Sequence, residues 1–395
     1  MKIAVVISKY GLLGGAENFV FQLTERLAGR EGIEIHVFAN QWCRGNDSVT
    51  FHKIPNVFFP RFMRPISFAY FAGKKIVAEN FDLVHSHAWI FEMDFFTIHG
   101  GLHEPWIKEV RRKSMSLFDR SMARVEAKGV NASRLKLILP VSTLLKEELL
   151  RFYDIPESKI HVIHPGISTA RFSALDPERS LHEVRRRHGL STGDLVVLFV
   201  GMNFEVKRLD LVLKAVADLS VRRNDNSNLK LLVVGKGEKG PYMKLARDLG
   251  IVNQVVFAGV TQQVEEYYMA SDIFVMPSMN DSFGMVVLEA MMAGLPAIIT
   301  ETVGARDLIE SGNQAFVLPD DPSVSDVSEK LSFLLKKENR LRMGESAREV
   351  ARCQTWESRV DQVAELYDQF AKRGLSRWNR PRNTAFGVRR GTGSL

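Results

Sequence analysis

The sequence predicts two doubly wound α/β domains in tandem, and three observations lead there. Short apolar runs rich in β-branched residues alternate with amphipathic helical stretches from the first residues onward. The alternation pauses at a polar, proline-containing stretch over 173–193 and then restarts. At 395 residues the chain is too long for one ordinary core and comfortable for two. Parallel neighbours need long crossovers, which the helical stretches supply.

Taken in order, the first strand covers 2–8 and runs into a glycine turn at Gly11, Gly14 and Gly15. Residues 16–27 then carry helical spacing through Phe19, Val20, Leu23 and Leu27. Further strands are expected at 33–38, 83–85, 95–99, 137–140 and 160–164. After the pause, 195–201, 229–235, 255–258, 273–277 and 297–300 are near-continuous apolar runs, as in parallel strands covered on both faces. A long helical stretch over 329–370 closes the fold, its last part (about 356–371) crossing back onto the first domain. The domains are therefore expected at 1–172 and 190–355, followed by a flexible tail at 372–395. Ligands of such folds lie beyond the carboxyl ends of the strands.

Composition narrows the class. Apolar residues make up 45% and charged residues 25%, the balance of a soluble globular protein. No run approaches the roughly 18 apolar residues of a spanning helix. The start, MKIAVVISKY, does not read as a signal peptide, so a cytoplasmic location is expected. The two cysteines, Cys43 and Cys353, are too far apart in sequence to suggest zinc or a disulfide framework. Of the net +7, the tail supplies seven basic residues and no acid, which leaves 46 against 46 in the body. Residues 1–170 hold 22 basic and 17 acidic residues, and 171–371 hold 24 and 29. That asymmetry suits orientation on an anionic surface, and a tail that is merely solvated fits it equally. Trp378 and Phe386 among the tail arginines could stack on bases, but the neutral body argues against a nucleic-acid partner.

The strongest local signal runs from Asp281 to Pro296, after the strand at 273–277. Gly294 and Pro296 mark a helix stop, which puts the helix start near Phe283 or Gly284. The first amides of that helix, through Met285 and Val286, are free donors at the positive end of its dipole, a seat for a diphosphate. Gly284 allows close approach to the backbone. Asp281 and Glu289 can then address different parts of one elongated ligand. An ordinary amphipathic helix with an acid before it would show the same pattern.

This segment resembles the signature of retaining GT-B glycosyltransferases of family 4, two glutamates separated by seven residues. Phe283-Gly284, Leu288 to Met291 and Gly294 to Pro296 match it, with Asp281 in place of the first glutamate. The resemblance spans residues 2 to about 370 and implies a cleft between two Rossmann-like domains. It implies that Glu289 grips the nucleotide ribose, that the amides of Gly284 to Val286 and Lys207 take the diphosphate, and that backbone near Val260 meets the base. Asp281 and His99, the latter ending the run Thr97-Ile98-His99, would line the reaction centre. In the glycine turn of 9–17, Gly15 would keep the cleft clear of a side chain. Met202 stands where the family often has arginine, so Lys207 or Arg208 must supply positive charge. His85 and His87 are expected to be structural; the three histidines could suggest a metal, but no carboxylate pattern accompanies them. Asn224-Asp225-Asn226 falls in a polar loop and does not read as a metal motif.

Residues 103–136 contain nine Lys or Arg and four acids, and Trp106, Val110, Leu117, Met122 and Val125 approximate one helical face. The stretch is similar to a region implicated in membrane contact in lipopolysaccharide-core glucosyltransferases of the family. A helix packed on its own domain would look the same.

The resulting expectation is a metal-independent, retaining glycosyltransferase needing no cofactor. It would move a hexose from a nucleotide sugar (UDP-linked) to a glycan or lipid-linked acceptor, in lipopolysaccharide or other cell-surface polysaccharide synthesis. Peripheral contact with the inner face of an anionic membrane would run through 103–136 and the tail. Asp281 and Met202 favour the competing class, a nucleotide-sugar or glycan-binding protein of the same fold without turnover.

Overall fold

In the computed structural model, which describes residues 1–12, 14–223 and 228–372, the alternation resolves into two six-stranded parallel sheets. The first contains β1 (Lys2–Val6), β2 (Glu34–Ala39), β3 (Val49–Lys53), β4 (Leu83–Ser86), β5 (Phe95–Ile98) and β6 (Leu137–Pro140), in spatial order β3-β2-β1-β4-β5-β6. The second contains β7 (Leu195–Gly201), β8 (Leu229–Gly235), β9 (Val255–Gly259), β10 (Ile273–Met276), β11 (Ala297–Thr300) and β12 (Ala315–Leu318), in order β9-β8-β7-β10-β11-β12. Both sheets start at the centre, build outward to one edge and then reverse. A crevice opens at such a switch point, here between β1 and β4 and between β7 and β10. Register is continuous across it: Ile3 faces Ile35 and Leu83, and Val197 faces Leu231 and Ile273. These side chains are wholly buried, as two-sided burial of a parallel sheet requires.

The helices that matter below are α1 (Gly15–Ala28), α2 (Met63–Ala78), α3 (Leu117–Val130), α4 (Thr143–Phe152), α5 (Pro177–Arg187), α6 (Leu209–Arg223), α7 (Val264–Met269), α8 (Met285–Ala293), α9 (Val324–Leu334), α10 (Lys337–Arg352) and α11 (Trp356–Lys372). The polar stretch at 173–193 contains α5, which Asp176 caps through the Arg179 amide (3.1 Å) and Pro177 opens. Helix α11 leaves the second domain and packs on the first, burying Trp356, Val360, Val363, Tyr367 and Phe370. Each large apolar side chain so buried contributes roughly 1.5–3 kcal/mol. The Trp356 ring meets Phe19 of α1 edge-on at 5.3 Å, and Phe370 meets Phe95 of β5 at 5.4 Å. Where the chain crosses, the Ile167 amide donates to the Gln354 carbonyl at 2.7 Å. A Cβ on Gly166 would lie 2.6 Å from the Trp356 nitrogen, so only glycine allows that approach.

Three local expectations change. Residues 160–164 form no strand: the His161 and Ile163 amides donate to Ile138 and Pro140 carbonyls (3.0 and 2.9 Å), but Pro140 has no N–H to return. The stretch 329–370 is three helices, because Lys336 is extended and Gln354 and Thr355 engage Ile167. Residues 103–136 are not one amphipathic helix. A short helical turn through Val110 ends near Arg112, whose φ is 49°, and α3 begins afresh at a capping box between Ser116 and Asp119. The expected face is thereby split, with Val125 buried and Leu117 exposed. Strands β3 and β12, and a two-residue pair formed by Lys9–Tyr10 and Gln41–Trp42, were not anticipated. Residues 373–395 of the basic tail and Asn224 to Asn226 lie outside the described residues.

Candidate active site

Strand β10 ends at Met276, and the chain then turns through Ser278, whose Oγ donates to the Val206 and Asn280 carbonyls at 3.2 and 2.9 Å. Asp281 follows, clamped through its backbone: its amide donates to Thr302 (3.0 Å) and its carbonyl accepts from Gly304 (2.9 Å). Its carboxylate forms an ion pair with Lys207, which lies in the turn between β7 and α6. The two groups read from sequence as sugar and diphosphate ligands are thus each other's partners here. Arg208 is directed elsewhere: with φ at 56° it caps α6 and gives its guanidinium to Asp321 (2.7 Å) and the Asp320 carbonyl (3.3 Å). Of these two basic residues, Lys207 is the one paired with Asp281.

Helix α8 starts at Met285 on a left-handed Gly284 with φ 85°. A Cβ at that position would lie 2.8 Å from Val303 Cγ1, so glycine is required by conformation and by space. The amides of Met285 and Val286 belong to the first turn and have no partner within the helix. Both side chains are half-buried. Phe283, just before that helix start, has a buried side chain whose ring lies 5.8 Å from that of His164. On the second turn of α8, Glu289 is half-buried and accepts a 2.9 Å hydrogen bond from the Tyr268 hydroxyl of α7. Burial raises the Glu289 carboxyl to about 7, and the Tyr268 bond pulls against that rise. Tyr268, which sequence reasoning missed, holds its proton more firmly than a free phenol because it is buried beside that carboxylate. Val260 follows β9 and Gly259, and is 65% exposed.

On the first domain His99 follows β5, with its Nε2 3.0 Å from His87 Nδ1 and its ring edge-on to Phe19 at 4.8 Å. Burial drives His99 down to about 3 and lowers His87 well below its ordinary value, so both are neutral near pH 7. His85 lies deeper, between Tyr367 Oη (2.6 Å) and Thr97 Oγ1 (2.7 Å), which ties β4 to α11 and β5. A Cβ on Gly15, the first residue of α1, would meet nothing within 4 Å, so that helix start opens onto free space. Among the described residues, the side chains that converge with metal-ligand spacing are His36, His52 and Glu79, on β2, β3 and the end of α2 rather than at the strand ends that carry His99.

The carboxyl edges of the two sheets face each other. Ser142, the cap of α4 beyond β6, donates to the Ser282 carbonyl at 2.6 Å. Asp307 accepts from the Thr143 amide (2.6 Å), from the Thr143 hydroxyl and from His164 Nε2 (3.0 Å). Burial alone would raise Asp307, but these hydrogen bonds hold it below the usual carboxylate range. A Cβ on Gly304 would lie 2.2 Å from the Ser282 carbonyl oxygen and 2.6 Å from Ser142 Cβ. The turn carrying Asp281 is therefore clamped between the domains. A cavity of about 310 Å³ lies at this junction, with Trp106, Glu148 and Arg151 on one side and Asn280 and Ser282 on the other.

Two Rossmann-like domains, their strand ends facing across a crevice and a helix N-terminus opening into it, define a GT-B glycosyltransferase. The chain belongs to glycosyltransferase family 4: the model of that name matches residues 13–171, and the model of glycosyl transferases group 1 matches 182–350. A D-inositol 3-phosphate glycosyltransferase of Corynebacterium glutamicum is 30% identical over 306 residues, covering 73% of this chain and 72% of that one. WaaG, a glycosyltransferase involved in lipopolysaccharide biosynthesis, superposes with a TM-score of 0.78 at 22% identity, over 92% of this chain and 99% of its own. Anabaena HepE, in complex with UDP-glucose, superposes with a TM-score of 0.72 at 15% identity, over 93% and 100%. The chain is a transferase enzyme.

Proposed function

We propose that this enzyme transfers a hexose from a UDP-linked sugar to a hydroxyl of a glycan or lipid-linked acceptor, with retention at the anomeric carbon and without a metal. The role is assembly of lipopolysaccharide or another cell-surface polysaccharide. The observation that carries the reading is the start of α8. Left-handed Gly284 leaves the first amides of α8 without partners in the helix, a few residues after Asp281 and its ion-pair partner Lys207 and one turn before the desolvated carboxyl of Glu289. Those amides and Lys207 take the diphosphate, Glu289 accepts from the ribose hydroxyls, and backbone at exposed Val260 meets the base. Lys207 then stabilises charge on the departing diphosphate. The bond from the anomeric carbon to the diphosphate oxygen breaks as the acceptor oxygen attacks the same face, and its proton passes to that diphosphate oxygen. Neutral His99 is unsuited to protonate anything near pH 7; it orients the sugar through its remaining ring nitrogen. Asp281 faces the sugar once the diphosphate draws Lys207 away. The UDP-glucose in HepE and the lipopolysaccharide role in WaaG's name support the donor and pathway class.

A thermal-shift panel of UDP, GDP, ADP and their hexose conjugates tests this. Selective stabilisation by UDP compounds is expected, about 2.7 kcal/mol at a hundredfold excess over the dissociation constant. Stabilisation by GDP- or ADP-sugars instead would overturn the donor assignment.

A further inference from the structure

Two cavities on the first domain lie away from the donor residues. One, of about 460 Å³, is lined by Lys9, Gln41, Lys53 and Pro55; the other, of about 320 Å³, by Pro65, Phe68, Trp89, Phe118 and Met122. Ser8, Asn40, Asn56 and Arg64 line both, so they are two compartments of one trough with Arg64 at the junction. Ser8, Asn40 and Trp89 lie just beyond β1, β2 and β4, which puts the trough at the same carboxyl edge as His99.

The halves differ in chemistry. Lys9, Lys53 and Arg64 carry positive charge into the first, none of them forms an ion pair among the described residues, and no acidic residue lines either half. Unneutralised cations around a polar cavity are a site for an anion, and a phosphate uses several of them at once. The second half is aromatic, with Trp89 stacked on Phe96 at 3.8 Å. Phe58 lines the first half and is 66% exposed, its neighbour Phe59 is 90% exposed, and Phe62 and Leu117 are exposed as well. The Arg64 guanidinium lies 5.6 Å from the Phe58 ring, and that of Arg61 lies 4.8 Å from the Phe118 ring. The 57–62 segment is anchored, since Ser67 Oγ of α2 accepts from the Val57 amide (3.0 Å) and donates to Asn56 Oδ1 (2.8 Å). An exposed aromatic cluster interleaved with arginines is the composition of a surface that meets anionic lipid.

We propose that this trough is the acceptor subsite and that its ligand is a phosphate-bearing amphiphile. The phosphate is held by Lys9, Lys53 and Arg64, the apolar part lies along Phe68, Trp89 and Met122 in the second half, and exposed Phe58 of the first half with its neighbour Phe59 meets the lipid surface. The assignment rests on the transferase reading above and narrows its acceptor from any glycan to a phosphorylated, lipid-linked one. It also moves membrane contact from 103–136 as a whole to the 57–62 segment and its neighbours Leu117 and Phe118.

The test uses the full chain with two probes: glycerol 3-phosphate, and phosphatidylcholine vesicles with or without phosphatidic acid. Native protein should sediment with phosphatidic acid vesicles but not with pure phosphatidylcholine, and should bind glycerol 3-phosphate. Lys53→Ala/Arg64→Ala should weaken both by on the order of a hundredfold, from two charge-assisted contacts. Lys74→Ala/Lys75→Ala, the same charge change elsewhere on α2, should leave both as they were. Phe58→Ser/Phe59→Ser should weaken vesicle binding and leave glycerol 3-phosphate unaffected. Equal losses from both lysine-containing variants would overturn the site in favour of diffuse surface charge. Glycerol 3-phosphate bound without vesicle binding would overturn the lipid half. UDP-glucose binding, measured on every variant, should be unchanged; its failure in the native protein would count against the donor reading instead.

Discussion

Titrating UDP-glucose into the protein between pH 6 and pH 8 isolates the contribution of Glu289. Its carboxyl is raised to about 7 by burial, against the Tyr268 hydrogen bond, so at pH 6 about one molecule in eleven carries the carboxylate. At pH 8 about ten in eleven do. Two ribose hydroxyls can both donate to a carboxylate, whereas a protonated acid spends one oxygen as a donor. If the ionised form alone binds, affinity should rise about tenfold across the window, on the order of 1.4 kcal/mol. The diphosphate of UDP-glucose keeps its charge throughout, so the protein supplies the slope. Calorimetry at steps of pH, on native protein and on Glu289→Gln, reads it directly. The variant should bind more weakly and show no slope. A flat profile in the native protein, or the same slope in the variant, would refute the assignment of Glu289 to the ribose. Linkage gives the opposite sign for stability. Between the ordinary value of 4.5 and about 7 the native state holds a proton that the unfolded chain has released. Stability should therefore fall as pH rises through that window, and Glu289→Gln should remove the fall.

Two further outcomes follow from the same crevice. Asp281→Asn breaks the ion pair and leaves Lys207 free for phosphate, so UDP should bind several-fold more tightly while sugar transfer drops; weaker UDP binding would mean that Asp281 holds Lys207 in its working position. Gly284→Ala forces a Cβ to 2.8 Å from Val303 at φ 85° and should lower stability by about 2–4 kcal/mol in denaturant unfolding; a loss under 1 kcal/mol would show that the α8 start shifts to accommodate it.

What was legible in the sequence was whatever depends on near neighbours. β-branched runs bounded by glycine and proline marked ten of the twelve strands in the two six-stranded sheets, and the bounds of 137–140, 195–201, 229–235 and 297–300 coincide with the structure. Gly284 and Gly294 bracketed α8 because a left-handed residue at each end leaves few alternatives to glycine. Strand β3, with its half-exposed Phe51 and His52, lacks the apolar run that marked the others. The site contacts that were missed depend on distant partners. Tyr268 reaches Glu289 from another helix, and Thr143 and His164 meet Asp307 from another domain, at separations of 164 and 143 residues. Nothing local in Thr143 or Asp307 announces such a pairing. The break at 353–355 was hidden for the same reason: Cys353, Gln354 and Thr355 include no glycine or proline to mark it, and the break is set by the distant partner Ile167. Arg208 shows the converse, a basic residue beside Lys207 in sequence whose backbone turns it toward Asp321.

The return of α11 to the first domain has a consequence for synthesis. His85 waits 282 residues for the hydroxyl of Tyr367, and Phe95 for Phe370. At about 5–20 residues per second on a ribosome, that interval lasts roughly a quarter of a minute to a minute. Throughout it the first half of the protein presents an unfinished aromatic face, while the second half, begun later, acquires all six of its strands. The domain made first is thus the one completed last, and the helix that completes it is what a chaperone guarding the nascent chain would have to wait for.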